Sequence, residues 1–285
     1  MGTWQVADDL GEVSDLCISF NRGRLYETFW QYTLSADELS KQNAKAWLYV
    51  EKGKTSGVAL SRKIGNVTTI EELWGEIDGY YGDPQGKLSS KDSEKLKECS
   101  TIFDSLERPA RLRVPLDNHF GGGVAIQFGL KWLNGMALAT RELNGYLKFE
   151  IPDGVSIRPA QKGDEEDIKR MHDIHYRSFN DLKVYSDWVG KWSSETYIAE
   201  VDGKFAGHII AEVRPKGLGD FDIAVSPEFF RHRIGSTLLL TGLNSLFRRG
   251  AKVAIADFMI MNAATNNFYH DNGFNLSRAY NYFSL

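Results

Sequence analysis

Two short stretches carry residue types that could do chemistry. The first, Val225 to Leu239, reads VSPEFFRHRIGSTLL. A strand end and a proline lead into Arg231, His232 and Arg233, then Ile234-Gly235-Ser236 and a leucine-rich helix. The first amides of a helix have no partner within it, and the helix dipole makes that end partly positive. A phosphate can sit there. The arginines would add side-chain charge, and Gly235 would let the backbone come close. The competing reading is a solvated basic turn in front of an ordinary helix, and this stretch alone does not choose between them. The second stretch, NAATNNFYHDNGF, runs from Asn262 to Phe274. Asn262 is a natural cap for a helix starting at Ala263. Tyr269 falls two turns later on the same face, where its hydroxyl could give a proton to a leaving group. The bland alternative is an amphipathic helix that buries Phe268 and Tyr269.

Other chemistries find little support. His172 and His175 are three apart on an expected helix and could share a metal, but no third ligand accompanies them at a suitable spacing. With no HExxH either, they read as ordinary helix histidines, and no metal site is expected. The two cysteines, Cys17 and Cys99, are far apart and form no CxxC pair, which argues against a disulfide framework or structural zinc. The net charge of −4 argues weakly against non-specific binding to nucleic acid or a membrane surface. No apolar run approaches the ~20 residues that cross a bilayer, and the first residues lack a signal-peptide pattern. A cytoplasmic, reduced protein is the simplest expectation.

The elements that must position these residues form two halves, 1–151 and 152–285. An alternating, strand-like run ends at Ile151, and Pro152-Asp153-Gly154 is turn chemistry. A strand from Val155 to Pro159 follows, then an acidic helix start and apolar residues at Ile168, Met171, Ile174 and Phe179. Thr196–Val201 and Phe205–Val213 read as a hairpin turning at Asp202-Gly203. Phe221–Val225 is a further strand, and the leucine-rich helix stops at Gly250. A strand over Lys252–Ile260, a helix over Ala263–Asn272 ended by Gly273, and a strand over Phe274–Phe283 complete the half. The order predicts an α/β (α+β) fold, a mixed and mostly antiparallel sheet flanked by helices.

Together these residues resemble the GCN5-related N-acetyltransferase (GNAT) superfamily. Val225-Ser226-Pro227 matches its fourth-strand end. Gly235 with Ser236-Thr237-Leu238-Leu239 matches its helix entry. Asn262, Ala263, Ala264, Phe268, Tyr269, Gly273 and Phe274 match its C-terminal motif. The resemblance covers Val155 to Leu285. It implies an acyl-CoA N-acyltransferase-like domain with acetyl-CoA as cosubstrate, bound where two parallel strands splay apart. Backbone groups of Ile223, Ala224 and Val225 would meet the pantetheine arm. The amides of Arg231, His232, Arg233, Ile234, Gly235 and Ser236 would hold the pyrophosphate, and Asn262 and Asn267 would make further contacts. Tyr269 would be the acid. The acceptor would be a primary amine of a small molecule or peptide. The departures are specific. Arg233 stands where the family has its first loop glycine, and Phe221 where it often has a glutamate base. Asp222, Asp220, Glu212 and His208 are other candidates for the base, Asp222 being the one named with Tyr269. The alternatives left open are an acyl-CoA sensor without turnover and a tandem-domain aminoacyl transferase.

The first half repeats the outline. Gly53, Lys54 and Gly57 fall 150 positions before Gly203, Lys204 and Gly207, and Asn134-Gly135 falls 138 before Asn272-Gly273. On that alignment Lys131 takes the place of Tyr269, and Ile70–Lys91 holds no arginine-rich helix entry. The expectation is two domains in tandem, the first a degenerate copy that does not bind coenzyme A. Its Trp47, Trp74, Tyr80, Tyr81 and Trp132 could line an acceptor site or simply be core.

Overall fold

The computed structural model describes residues 2–21, 35–64, 66–75, 90–176, 194–214 and 217–285. They divide into two compact units. Unit 1 is Met1–Leu138, Phe258–Ala263 and Leu276–Leu285; unit 2 is Ala139–Asp257 and Ala264–Asn275. This spatial line differs from the sequence boundary near Ile151, because the last strand in sequence is built into unit 1.

Unit 1 contains β1 (Thr3–Val6), α1 (Leu10–Asn21), α2 (Ala36–Lys41), β2 (Lys45–Glu51), β3 (Lys54–Ile64), β4 (Val67–Gly75), α3 (Ser90–Lys97), α4 (Ser100–Asp104), β5 (Ala110–Pro115) and α5 (His119–Gln127). β6 (Lys131–Glu142) follows. The strands β1, β2, β3 and β4 pair antiparallel in that order, and β4 runs parallel to β5. The residues Ala46-Trp47-Leu48-Tyr49 are buried without alternation because helices cover both faces of β2. One face packs Trp47, Ile70, Leu96, Phe103, Leu112 and Phe120; the other packs Val13, Cys17, Leu39, Leu48, Leu60 and Trp74.

Unit 2 contains β7 (Val155–Pro159), α6 (Glu165–Tyr176), β8 (Ser194–Val201), β9 (Lys204–Arg214), β10 (Leu218–Val225), α7 (Ile234–Arg248), β11 (Val253–Met259) and α8 (Ala263–Asp271); β12 (Asn275–Ser284) ends the order. The strands lie in the order β11-β10-β9-β8-β7, all antiparallel except β10 with β11. Helix α7 sits very close to the sheet. A Cβ on Gly242 would lie 2.4 Å from Ile209, and one on Gly219 2.8 Å from Leu246, so a larger residue at either would force those side chains to shift. On the opposite face, Ile168 of α6 packs with Ile198 and Ile210.

Most expected elements are present, and Gly250 and Gly273 end their helices at φ 90° and 75°. The run before Ile151 is not a strand. The side chain of Asn244 on α7 takes both backbone groups of Leu147, at 2.7 and 3.0 Å, in place of a ladder. Phe179, Tyr80 and Tyr81 lie outside the described residues. Trp47 and Trp74 are core, whereas Trp132 is exposed.

The two units share local geometry. Lys52-Gly53 turns at φ 51° and 74°, Asp202-Gly203 at 50° and 75°. Each hairpin carries a bulge, at Tyr49/Val50 and at Ala199/Glu200, again 150 positions apart. The Asn-Gly correspondence does not hold. Asn134-Gly135 lies inside β6, while Asn272-Gly273 closes a helix. The equivalent helix end in unit 1 is Gly129, at φ 56°. Leu130 N–H donates to Ala125 O (2.9 Å) as Phe274 N–H donates to Tyr269 O (3.0 Å). Ala125, not Lys131, therefore stands where unit 2 has Tyr269.

Candidate functional site

The site begins with a gap in a sheet. β10 pairs with β9 along its whole length, from Leu218↔Arg214 to Val225↔Gly207. Its parallel ladder with β11 is only three pairs long, Leu218↔Val253 to Asp220↔Ile255. Beyond Asp220 the ladder stops, and the backbone of Phe221–Val225 flanks the opening. Gly207 keeps β9 tight against β10 there; a Cβ on it would lie 2.5 Å from Ala224 O. Val225 O already accepts a 2.7 Å hydrogen bond from His175 Nε2 of α6, so a ligand would share this carbonyl.

The loop that leaves β10 reaches α7 through two left-handed residues, Arg231 at φ 68° and Arg233 at φ 61°. Such a backbone costs an L-residue roughly 1–2 kcal/mol. Arg233 thus keeps the conformation that a glycine would adopt freely. No side chain caps α7 at Arg233. Its first amides point out of the helix start, and alternating left-handed residues gather successive N–H groups into an anion-binding concavity. Arg231, His232 and Arg233 are exposed, Ile234 is buried, and Gly235 and Ser236 are half-buried. A Cβ on Gly235 would lie 3.3 Å from the Phe268 ring of α8.

Tyr269 projects from α8 into an aromatic nest, with ring centroids 6.2 Å from Phe221, 5.2 Å from Phe268 and 5.4 Å from Phe274. Burial pushes its phenol well above the ordinary value, and the charges of Asp222, Asp257 and Asp220 push the same way. Tyr269 is therefore protonated throughout the neutral range, in the form that donates. Asn262, directly before α8, and Asn267 on it are both exposed.

Strand alternation sends Phe221 towards Tyr269 and Asp222 to the opposite face, beneath α6. There Asp222 Oδ2 lies 2.8 Å from His172 Nε2, with Asp222 about one-third exposed and His172 buried. The His172 ring stacks on His208 of β9 at 5.3 Å between centroids. Burial drives His208 down to about 3, so it is neutral at pH 7. The other base candidates are engaged. Arg214 lies 2.5 Å from Asp220 and 3.9 Å from Glu212. Burial raises the Asp220 carboxyl despite that partner. The sequence reading set His172 beside His175; the structure sets it beside His208 and Asp222. The β9–β10 pairing, Asp222↔Ile210 and Ala224↔His208, places His208 diagonal to Asp222.

Comparison with known proteins agrees with this geometry. Residues 163–274 match the family model of the acetyltransferase (GNAT) family. No curated protein matches the chain. A GCN5-related N-acetyltransferase from Sphaerobacter thermophilus superposes with a TM-score of 0.68 at 14% identity, covering 100% of this chain and 95% of its own. A tandem GNAT protein from the clavulanic acid biosynthesis pathway gives 0.62 at 12%, covering 100% and 98%. A GNAT-family acetyltransferase from Colwellia psychrerythraea gives 0.63 at 10%, covering 99% of each chain. Residues 163–274 are thus a GNAT-family domain, and the chain as a whole has the acyltransferase-like fold of tandem and related GNAT proteins.

Proposed function

We propose that unit 2 transfers the acetyl group of acetyl-CoA directly to a primary amine of a small molecule or peptide. The observation that carries this reading is the parting of β10 from β11 after three pairs, beside an uncapped helix start. The donor set suits a pyrophosphate. The amides of Arg231–Ser236 supply neutral N–H donors and two guanidinium groups supply charge. The backbone of Ile223, Ala224 and Val225 lines the pantetheine path, with Asn262 and Asn267 as further polar contacts. The thioester supplies an activated acyl group. Asp222, held by His172, takes the proton released as the amine nitrogen becomes an amide, directly or through a water. Tyr269 gives its hydroxyl hydrogen bond to the departing sulfur. A buried phenol is a weaker acid than a thiol of about 8.5, so its main contribution is stabilising the thiolate. Unit 1, with Ala125 in the tyrosine's place, serves in this reading as a partner domain that does not bind coenzyme A.

Calorimetry with acetyl-CoA tests the binding half. Wild type should bind, and the Arg231→Ala, Arg233→Ala double variant should bind at least tenfold more weakly. No heat from wild type at millimolar ligand would remove the proposal. Free-thiol release with a panel of amines tests the transfer half. Tight binding with no release above the hydrolysis background for any amine would leave a sensor instead.

A further inference from the structure

We infer that His172, His208 and Asp222 form a divalent cation site of the zinc class. They come from three different elements, α6, β9 and β10, and each offers one ligand atom; the three atoms lie within 4.8 Å of one another. Two imidazoles and a carboxylate are a donor set that zinc accepts, with a fourth position open to water. Zinc–nitrogen distances of ~2.0–2.1 Å ask the ligand atoms to draw at most about 1.5 Å closer than the 4.8 Å within which they lie, a shift that side-chain rotation supplies.

Two features of the cluster call for a cation. His208 is fully buried, and neither ring nitrogen meets a hydrogen-bond partner. A buried polar group without a partner costs about 1–3 kcal/mol. A leucine would fill this place beside Ile198 and Ile210 without that loss. Coordination would satisfy one of the two nitrogens outright. The second feature is the 2.8 Å approach of His172 Nε2 to Asp222 Oδ2. Two lone-pair-bearing atoms stay this close only when a proton or a cation lies between them. Asp222 alone of the three is substantially exposed, which gives the ion a way in past the carboxylate. The site stands apart from the Arg231–Ser236 loop and does not require acetyl-CoA binding to be correct; with the cation bound, Asp222 would be a ligand rather than the proton acceptor, and that role would fall to the water in the fourth position.

The test uses the full chain, stripped with a chelator and then freed of it. Titration with Zn2+ should give one site per chain, and Co2+ should give the intense visible bands of a four-coordinate N/O site. His208→Leu and Asp222→Asn should each weaken Zn2+ affinity about 100-fold. His208→Leu should fold, since it replaces an unsatisfied polar ring by an apolar side chain. His208→Gln serves as a second variant of similar polarity. Melting curves confirm that the variants are folded. Absence of Zn2+ binding by wild type overturns the site. So does unchanged affinity in both folded His208 variants, which would place the ion on exposed histidines such as His232 or His270.

Discussion

Units 1 and 2 start from the same local plan and diverge where the sheet opens. Each has a bulged hairpin, then an antiparallel strand, then a parallel ladder of three pairs: Thr68↔Ala110 to Ile70↔Leu112 in unit 1, Leu218↔Val253 to Asp220↔Ile255 in unit 2. In unit 1 the residues that follow are Glu71 and Glu72, both buried. Arg113 reaches both carboxylates, and Arg62 pairs with Glu71. These charges hold Arg113 far above its ordinary value despite its burial. Further on, α5, the counterpart of α8, is capped by Asn118, whose side chain accepts from Gly121 N–H at 3.0 Å and donates to Leu73 O at 3.0 Å. Unit 1 thus pairs the buried carboxylates at this gap internally. Unit 2 has Asp222 at the position of Glu72, partly exposed and beside His172 rather than an arginine. The difference teaches that one local plan tolerates two fillings: buried ion pairs close the strand gap in unit 1, while a partly exposed carboxylate stands there in unit 2.

The comparison can be broken most forcefully in unit 1. Glu72→Ala would leave the buried Arg113 with Glu71 alone, which Arg62 also claims, and the Trp74 indole N–H without its acceptor; it should cost roughly 3–5 kcal/mol, read as a drop in denaturant midpoint. Asp222→Asn should change stability by less than about 1 kcal/mol, because that group is about one-third exposed and the amide can still hydrogen-bond His172. Equal losses in the two variants would erase the distinction. Next in size is Tyr269→Phe, expected to lower turnover on the order of 10²-fold or more with acetyl-CoA affinity unchanged. An unaltered rate would take Tyr269 out of the mechanism.

Arg233→Gly sharpens the reading of the loop. Glycine keeps the left-handed backbone without strain, so stability should rise by about 1 kcal/mol. The loss of one guanidinium should weaken acetyl-CoA binding roughly tenfold. Tighter binding in this variant would mean that the arginine obstructs the site. The smallest effect is in acid. The hydrogen bond from Arg158 holds the Asp164 carboxyl below its usual range, with burial opposing. A depressed carboxylate stabilises the fold above its unfolded pKa, and that contribution disappears as pH falls through the folded one. Stability should therefore fall below about pH 4, and less steeply in Arg158→Gln. Identical acid limbs for both proteins would refute this assignment.

Much of unit 2 was legible because its signals are local. Asp-Gly at a hairpin, Gly250 and Gly273 after helices, and Asn262 to Phe274 each act over a few residues. The Arg233 departure was legible as a question, and only the φ angle answers it: the glycine conformation survives without the glycine. What escaped was set by tertiary placement. GYLKFEI alternates like a strand, but Asn244 of α7, nearly a hundred residues on, takes its backbone hydrogen bonds. His172 was read with its helix neighbour His175, because the meeting of α6 with β9 and β10 has no signature in spacing. The duplicated Asn-Gly misled for the same reason. An identical dipeptide ends a helix in one unit and sits mid-strand in the other.

One feature bears on how the chain is made. β5 pairs on one side with β4, and on the other with β12, Tyr280↔Pro115 to Ser284↔Arg111. The rings of Tyr280 and Tyr282 stack over Arg113 and Arg111. During synthesis β5 leaves the ribosome long before β12, by roughly ten to thirty seconds at bacterial or eukaryotic elongation speeds. Throughout that interval the first unit presents a bare strand edge, the kind that recruits strands from other chains. Every residue of unit 2 must be translated before that edge is closed. Unit 2 is therefore complete in sequence before unit 1 can be, and a ribosome that stalls before Asn275 would leave a nascent chain with a sticky first unit, whatever the state of the second.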